Sequence, residues 1–480
     1  MNKLNDNKVF YLIVGTGTNA LFALFFTIIS YIFIGKDEFS YLTGLFIFES
    51  MLILFDLSIN NYIIKYSASE NKNTQKKIIN FFFKKIIIFC LVFFFFNLFI
   101  LKEIFWDKII YQESNLILFI TIIVSLIVIT RICINFFRAI LIGSFQQIKT
   151  SKIQIIAAIL KFFLFISILF FYNSIKALLI SYLAGLFIEL LIYSFSVYRK
   201  FIANFFIFEK HTIDKLFILS FTDIFLLSTS IIIFVNFDRI FLSYNVKEDI
   251  LGEYNFIKTI LLGFFILGSA YYFNLLPEIS KLQKKNFIIK KKIIENFKSL
   301  NIILSFCITG SFLFIENFFY DFNLNSLFKF ENFSIFKIII IANYFTMLNQ
   351  IFLSFQIANS HFKIPTVINY IIIIFSLLIA FPLFNLFGVE GISYLYLSMN
   401  FINFFCNLII LSFMHEEIFS KKMVVNFFKI IFFDFVFIFL GLIILYFLFY
   451  NLSKLLFYII FTLLFFYFFY LSQKFLKKNI

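Results

Sequence analysis

Apolar stretches long enough to cross a membrane recur along almost the entire chain, separated by short polar gaps. About fourteen of them follow one another between Val9 and Leu476, and a bilayer core requires roughly 20 apolar residues in each helical span. A soluble domain is about half apolar, whereas 62% of this chain is hydrophobic. The sequence therefore predicts an all-α, polytopic membrane protein with about fourteen transmembrane helices. The predicted spans lie near 9–34, 40–64, 86–103, 115–136, 153–172, 177–198, 216–243, 252–276, 300–319, 335–357, 365–387, 391–413, 429–449 and 455–474.

The gaps between these stretches alternate between lysine-rich and lysine-poor along the chain. The gap after the seventh stretch contains Lys247 as its lysine, whereas the gap after the eighth is strongly basic. Its lysines are Lys281, Lys284, Lys285, Lys290, Lys291, Lys292 and Lys298. Because cytoplasmic loops retain Lys and Arg, this alternation predicts an even number of spans with both termini in the cytoplasm. The net charge of +15 then reflects membrane topology, and no nucleic-acid partner is expected.

Two pairs of similar segments, each pair separated by almost the same number of residues, indicate an internal repeat. The segment Lys-Asp-Glu before Tyr41 is similar to Lys-Glu-Asp before Tyr254, and the polar segment before Lys149 is similar to the one before Lys363. Six spans per repeat is an even number, so the two halves would share one orientation, related by an axis along the membrane normal. We therefore expect two six-helix bundles in pseudo-twofold relation, at 1–212 and 213–424, and an accessory transmembrane helix pair with a cytoplasmic tail at 425–480.

Several short motifs resemble, in order and in spacing over residues 9–413, those of a known family. They are 34–39 (IGKDEF) with 55–59 (FDLSI), 237–243 (FDRIFLS), 251–254 (LGEY), 275–280 (LLPEIS) and 387–391 (FGVEG). The chain is similar to the polysaccharide flippases, which are the O-antigen and capsule repeat-unit exporters of the multidrug/oligosaccharidyl-lipid/polysaccharide (MOP) superfamily. It departs from the family pattern at Ser40, where the family has glycine, and at Glu278, where the family has arginine.

This resemblance implies a flippase that moves undecaprenyl-pyrophosphate-linked oligosaccharide repeat units across the bacterial cytoplasmic (inner) membrane. Transport would proceed by alternating access, driven by a proton or sodium gradient, in O-antigen (lipopolysaccharide), capsular or exopolysaccharide biosynthesis. The implied partners are this lipid-linked substrate, membrane lipids, and a polysaccharide polymerase and ligase. Two alternatives stay open: a membrane glycosyltransferase, polymerase or ligase of the same pathway, and a multidrug antiporter of the same superfamily.

Four basic residues lie inside predicted spans, where an unpaired charge is costly and therefore marks a candidate site. They are Arg131, Lys161, Arg239 and Lys258. A pyrophosphate crosses hydrocarbon only with cationic partners, and arginine can hold phosphate oxygens through two parallel N–H bonds. We expect these four side chains to line a cavity between the bundles and to bind the substrate. The alternative is that they form structural ion pairs, such as Arg239 with Asp238 or Glu253, or extend to the membrane interface.

Carboxylates in the predicted spans are candidates for binding a coupling ion, because a carboxylate in apolar surroundings is stabilised by taking up a proton or a cation. We select Glu49, Asp56 and Asp223 for this role; Glu189, Asp238 and Asp434 are further acids in the spans. The sequence offers no catalytic triad, metal-ligand cluster or glycine-rich phosphate loop. No enzymatic activity, catalytic residue, cofactor or metal is therefore expected.

Overall fold

A computed structural model describes residues 3–34, 60–68, 72–98, 114–172, 174–197, 215–282, 285–321 and 333–449. Nearly all of these residues are helical and none is in a β-strand, which confirms the all-α prediction for the described part of the chain. Residues 60–68 are helical, and eleven longer helices are numbered in chain order. They are α1 Lys3–Ile34, α2 Lys72–Phe96, α3 Ser114–Gly143, α4 Gln147–Phe171, α5 Ile175–Val197, α6 Lys215–Asn245, α7 Glu248–Lys281, α8 Asn286–Asp321, α9 Phe333–Ala358, α10 Lys363–Met414 and α11 Lys421–Phe449. The predicted number of fourteen spans is not confirmed.

Six helical segments among the described residues are long and apolar enough to cross a membrane. They are Leu118–Gly143, Gln147–Ile168, Ile175–Val197, Thr222–Asn245, Phe333–Ala358 and Lys363–Met414. Large apolar side chains stand exposed on these helices, as Phe163, Phe187 and Phe195 do. Exposure of apolar surface to water costs about 25 cal/mol per Å², whereas contact of the same surface with lipid acyl chains carries no such cost. Within the acyl-chain region every backbone polar group must form an internal hydrogen bond, as it does in a helix. The described residues thus form a multi-pass membrane protein.

The longest helix, α10, contains two predicted spans joined by a kink. Gly388 has φ 59° and ψ −138°, a non-helical conformation inside the helix, and it separates the spans expected near 365–387 and 391–413. Side chains with a Cβ rarely adopt this left-handed region, so glycine is suited to the position. The motif 387–391 therefore marks the bend between two spans.

Gly391, three residues beyond this bend, supports it by lacking a side chain. A Cβ added there would lie 2.4 Å from the carbonyl oxygen of Leu383, a backbone atom that cannot move aside. We expect Gly391→Ala to destabilise the protein by about 2 kcal/mol, the usual range for overpacking, measured as a lower unfolding temperature in detergent. Gly252→Ala is the matched control, because its added Cβ meets nothing within 4 Å; an equal loss there would contradict the steric explanation.

The segments that resemble each other in sequence also share a turn conformation. Between α3 and α4, Phe145 has φ 60°, and between α9 and α10, Ser360 has φ 62°. In the first turn the backbone N–H groups of Phe145 and Gln146 donate hydrogen bonds to the carbonyl oxygens of Ile142 and Leu141, respectively. In the second turn those of Ser360 and His361 donate to the carbonyl oxygens of Ile357 and Gln356. Both turns are Schellman motifs, which satisfy the last carbonyls of a helix. The repeat is therefore visible in the backbone of these two turns.

The chain divides into two compact units. The first consists of the described residues within 7–232 and 276–281, and the second of those within 1–6, 233–275 and 282–480. In the first unit α5 packs against α3 and α4; in the second α9 packs against α10, and α8 packs against α9 and α11. Helices α6 and α7 contribute residues to both units. The expected bundle boundaries, at 212/213 and 424/425, and the pseudo-twofold relation stay predictions.

Two histidines that flank α10, His361 before its start and His415 after its end, lie together outside the candidate spans. The rings of His361 and His415 are 4.9 Å apart between centroids, and Phe355 packs edge-on against His415 at 5.1 Å. Burial, with a smaller contribution from the charge of His361, lowers the pKa of His415 from its ordinary value of 6.5. Protonation of His415 is thus less favourable in the folded protein than in the unfolded chain.

This histidine pair is expected to make stability fall in mild acid. Because the pKa of His415 is lower in the folded protein, its contribution to folding stability is fully present above about pH 6.5, where this histidine is neutral in the unfolded chain as well. The contribution is lost as the pH falls through the folded pKa. Unfolding temperatures of wild type and His415→Gln should therefore differ more at pH 7.5 than at pH 5.5. A constant difference between the two proteins at both pH values would contradict a role for His415 protonation.

Candidate functional site

Each unit buries a cluster of charged side chains in its long apolar helices. The Lys161 cluster in the first unit consists of Asn19, Arg131, Lys161, Tyr182 and Glu189. The Asp238 cluster in the second unit consists of Asp238, Arg239, Tyr254, Lys258 and Tyr396. All four basic residues predicted as substrate ligands belong to one or the other cluster. Charges at such depth are expected to be functional or to be held by specific partners.

The Lys161 cluster is centred on a buried ion pair between α4 and α5. Lys161 Nζ lies 2.5 Å from Glu189 Oε2, and both side chains are 6% exposed. The same ammonium donates a hydrogen bond to Asn19 Oδ1 on α1 at 3.3 Å and lies 5.6 Å from the centre of the Phe22 ring. Three helices thus contribute to the surroundings of this one charge. Because carboxylate and ammonium neutralise each other, the pair can be buried at an acceptable cost.

The face of α5 that carries this pair is defined by helical spacing. Tyr182, Gly185 and Glu189 lie at positions i, i+3 and i+7, which share one side of a helix. A Cβ added to Gly185 would lie 2.7 Å from Lys161 Cγ. Gly185 therefore leaves room for the aliphatic part of the lysine, which brings its ammonium to Glu189.

Arg131 approaches the same face of α5 from α3. Its side chain is half-buried and donates a hydrogen bond to the hydroxyl of Tyr182, while its guanidinium lies 5.7 Å from the centre of the Tyr182 ring. Phe26 of α1 packs against that ring at 4.8 Å. Tyr182 and Glu189 are about 10 Å apart along α5 at the usual rise per residue. The fold thus brings Arg131 and Lys161 to one face of α5, where their partners Tyr182 and Glu189 are two turns apart.

The Asp238 cluster has a fully buried carboxylate at its centre. Lys258 Nζ lies 2.6 Å from Asp238 Oδ1, with the two side chains 5% and 0% exposed. The other carboxylate oxygen accepts a hydrogen bond from Tyr254 OH. Lys258 Nζ also donates to the Val235 carbonyl at 2.8 Å and lies 4.0 Å from the centre of the Tyr396 ring. Lys258 is therefore in direct contact with an acid, a carbonyl and an aromatic face.

Arg239 adds a second buried cation next to this pair. Its side chain is 8% exposed, and its backbone N–H donates to Asp238 Oδ1 at 2.9 Å. The Nε atom of Arg239 is buried and has no hydrogen-bond partner in the described part of the chain. Since Asp238 and Lys258 neutralise each other, Arg239 gives the cluster one net positive charge. A buried cation with a vacant donor is suited to binding an anionic group.

Of the carboxylates predicted to bind a coupling ion, Asp223 falls among the described residues, and it belongs to neither cluster. Asp223 is half-buried on α6, about 22 Å along the helix axis from Asp238 at the usual rise. Glu49 and Asp56 lie outside the described residues. The acids that contact the buried cations are instead Glu189, to which the sequence assigned no role, and Asp238, which it suggested only as a structural partner of Arg239. Their partners are on other helices, so helical spacing alone could not identify them.

Comparisons with known proteins identify a family from the sequence and a related fold from solved structures. The sequence profile of the polysaccharide biosynthesis protein family matches residues 7–283, whereas no curated protein matches the sequence significantly. Among solved structures, the fold is similar to that of the MATE multidrug transporter DinF-BH, with a TM-score of 0.71 and 14% identity over 87% of this chain and 97% of that chain.

The Vibrio cholerae MATE transporter VcmN is similar to this chain with a TM-score of 0.67 and 10% identity over 88% of this chain and 99% of that one. A multidrug resistance MATE family transporter of the MOP superfamily, in an outward-facing conformation, gives a TM-score of 0.67 and 11% identity over 88% and 97% of the two chains. At these identities the likeness concerns the fold alone.

Proposed function

Because the chain belongs to the polysaccharide biosynthesis protein family, we propose that it is a lipid-linked oligosaccharide flippase of the bacterial cytoplasmic membrane. The substrate would be an undecaprenyl-pyrophosphate-linked repeat unit for O-antigen, capsule or exopolysaccharide, moved by alternating access. The observation that supports this choice is that Lys161, Arg239 and Lys258 are buried, and Arg131 half-buried, among long apolar helices. An anionic lipid head requires such cations to cross the membrane, and the resemblance seen in the sequence motifs is confirmed at the level of the family.

The Lys161 cluster suggests how a pyrophosphate could be accepted. In the described arrangement Glu189 neutralises Lys161 at 2.5 Å, so the pair carries no uncompensated charge before substrate binds. A phosphate oxygen would compete with Glu189 for the ammonium, and Arg131, which contacts the same face of α5 two turns away, would supply a second contact by leaving the Tyr182 hydroxyl. Glu189, once displaced, would be stabilised by taking up a proton. Glu189 therefore joins Glu49, Asp56 and Asp223 as a candidate for coupling to an ion gradient.

A multidrug antiporter is the second candidate, because the fold is shared with MATE multidrug transporters at a TM-score of 0.71. A pump for organic cations is expected to use acidic, aromatic-lined sites with few basic side chains. The basic residues of both clusters favour an anionic substrate instead. The proposed activity is transport, and no chemical reaction is assigned to the protein.

The decisive experiment is gene deletion followed by an assay of the two membrane leaflets. A flippase predicts that lipid-linked oligosaccharide accumulates facing the cytoplasm and that surface glycan disappears, with both defects restored by the wild-type gene. Purified protein in liposomes should then move the same lipid between leaflets. Unchanged surface glycan together with altered resistance to cationic dyes would instead favour the antiporter.

A further inference from the structure

The seam between α8 and α11 ends in a basic cavity that neither charged cluster includes. Along the seam, Phe297 of α8 packs against Phe427 of α11 at 4.3 Å between ring centroids. Deeper in the seam, Asn301 donates to Asp434 Oδ2 at 2.8 Å and accepts from Tyr344 OH of α9 at 2.5 Å. Three helices are thus connected by polar contacts within apolar surroundings. These contacts hold α11 in register against α8.

The cavity itself has a volume of about 280 Å³ and combines cationic with apolar walls. It is lined by Ile294, Lys298, Met423, Asn426, Phe427, Lys429 and Ile430. None of these seven residues is acidic. Lys298 and Lys429 come from facing helices, and both are exposed at the cavity. The Asn426 amide can donate a further hydrogen bond. Two ammonium groups and an amide beside apolar side chains match the boundary between a phosphate-bearing head and acyl chains.

The surroundings of the cavity favour a lipid over a soluble anion. On α11 the side chains of Val425, Phe428, Phe432 and Phe433 are 42–65% exposed, so acyl chains can continue along this face. The lysine alternation places the α7–α8 gap and the start of α11 in the cytoplasm, where anionic phospholipids give the leaflet a negative surface potential. Basic pockets between transmembrane helices on this side bind acidic lipid heads.

We propose that the α8–α11 cavity is a binding site for an anionic phospholipid of the surrounding membrane. The phosphate lies between Lys298 and Lys429, near Asn426, and the acyl chains follow the exposed apolar face of α11. Asp434, held deeper in the seam by Asn301, attracts Lys298 and therefore competes with the phosphate for this lysine. The occupied site fastens α11 to α8. This role does not depend on what the protein transports.

The test measures lipid binding to the purified full-length protein by native mass spectrometry. Phosphatidylglycerol, phosphatidylcholine, undecaprenyl phosphate and inorganic phosphate are the probes. Lys298→Gln/Lys429→Gln is expected to weaken phosphatidylglycerol binding about thirtyfold, as for two lysines near a lipid phosphate, and to leave phosphatidylcholine binding unchanged. The control Lys152→Gln/Lys363→Gln removes the same charge at exposed positions outside the cavity and should bind like wild type.

Several results would overturn the proposal. Equal losses in both double variants would show that net charge alone attracts the lipid, and no loss in either would leave the cavity lysines without a role. Displacement of phosphatidylglycerol by an equal concentration of inorganic phosphate would indicate a site for free anions. Tighter binding of undecaprenyl phosphate through the same lysines would assign the cavity to the transported lipid.

Equal unfolding temperatures of the two double variants, both changed at exposed positions, will show that binding losses do not reflect misfolding.

Discussion

Replacing Lys161 with methionine is expected to abolish glycan export and to destabilise the protein by about 3 kcal/mol, since breaking a buried pair leaves an uncompensated charge. Glu189 would lose its partner at 2.5 Å while only 6% of its side chain is exposed. Asn19 would lose its contact with the ammonium as well. Surface glycan display reports the loss of export, and the unfolding temperature in detergent reports the loss of stability.

A double variant separates binding of the substrate from maintenance of the fold. Lys161→Met/Glu189→Gln removes both charges, and replacing both partners of a buried pair is often nearly neutral for stability. We expect stability to return while export stays abolished, because the phosphate has lost its ligand. The control is Lys152→Met, an exposed lysine on the same helix, with normal export and stability. Wild-type export by the double variant would remove Lys161 from the transport mechanism.

Replacing Asp238 with asparagine is expected to give the largest loss of folded protein. The carboxylate is fully buried and contacts Lys258 at 2.6 Å, with Arg239 as the next residue. Asp238→Asn leaves two buried cations without an acid, and the cost of breaking one such pair is already about 3–5 kcal/mol. We expect little monodisperse protein by size-exclusion chromatography of detergent extracts, compared with wild type expressed in parallel.

The net charge of the cluster predicts that Lys258→Met destabilises the protein less than Asp238→Asn does. Lys258→Met leaves Asp238 with Arg239 nearby, so the cluster becomes neutral and should lose less stability than Asp238→Asn. Tyr254→Phe removes one hydrogen bond to a charged group, worth about 1.5–3 kcal/mol, and should fold. Equal losses in Asp238→Asn and Lys258→Met would contradict compensation by Arg239.

The elements of the fold follow from hydropathy, because the bilayer requires long apolar helices whatever their neighbours are. The helical character of the chain and its basic residues within spans were therefore predictable from local sequence. Local patterns also marked the repeated segments before Lys149 and Lys363, and the boundary between the spans near 365–387 and 391–413. The helix count was not confirmed, since it depends on segments outside the described residues.

The sequence by itself determined that this protein is a bundle of membrane helices with charges buried in them, because solvation by lipid acts on each helix separately. Only the tertiary structure decided which charges meet. Lys161 lies near Glu189 because α1, α4 and α5 converge and Gly185 leaves space for the lysine, and Lys258 of α7 meets Asp238 of α6 at 2.6 Å. Whether two charged side chains on different helices form an ion pair depends on the angle at which the helices pack and on small residues that leave room between them. Neither quantity can be read from the spacing of residues along one helix.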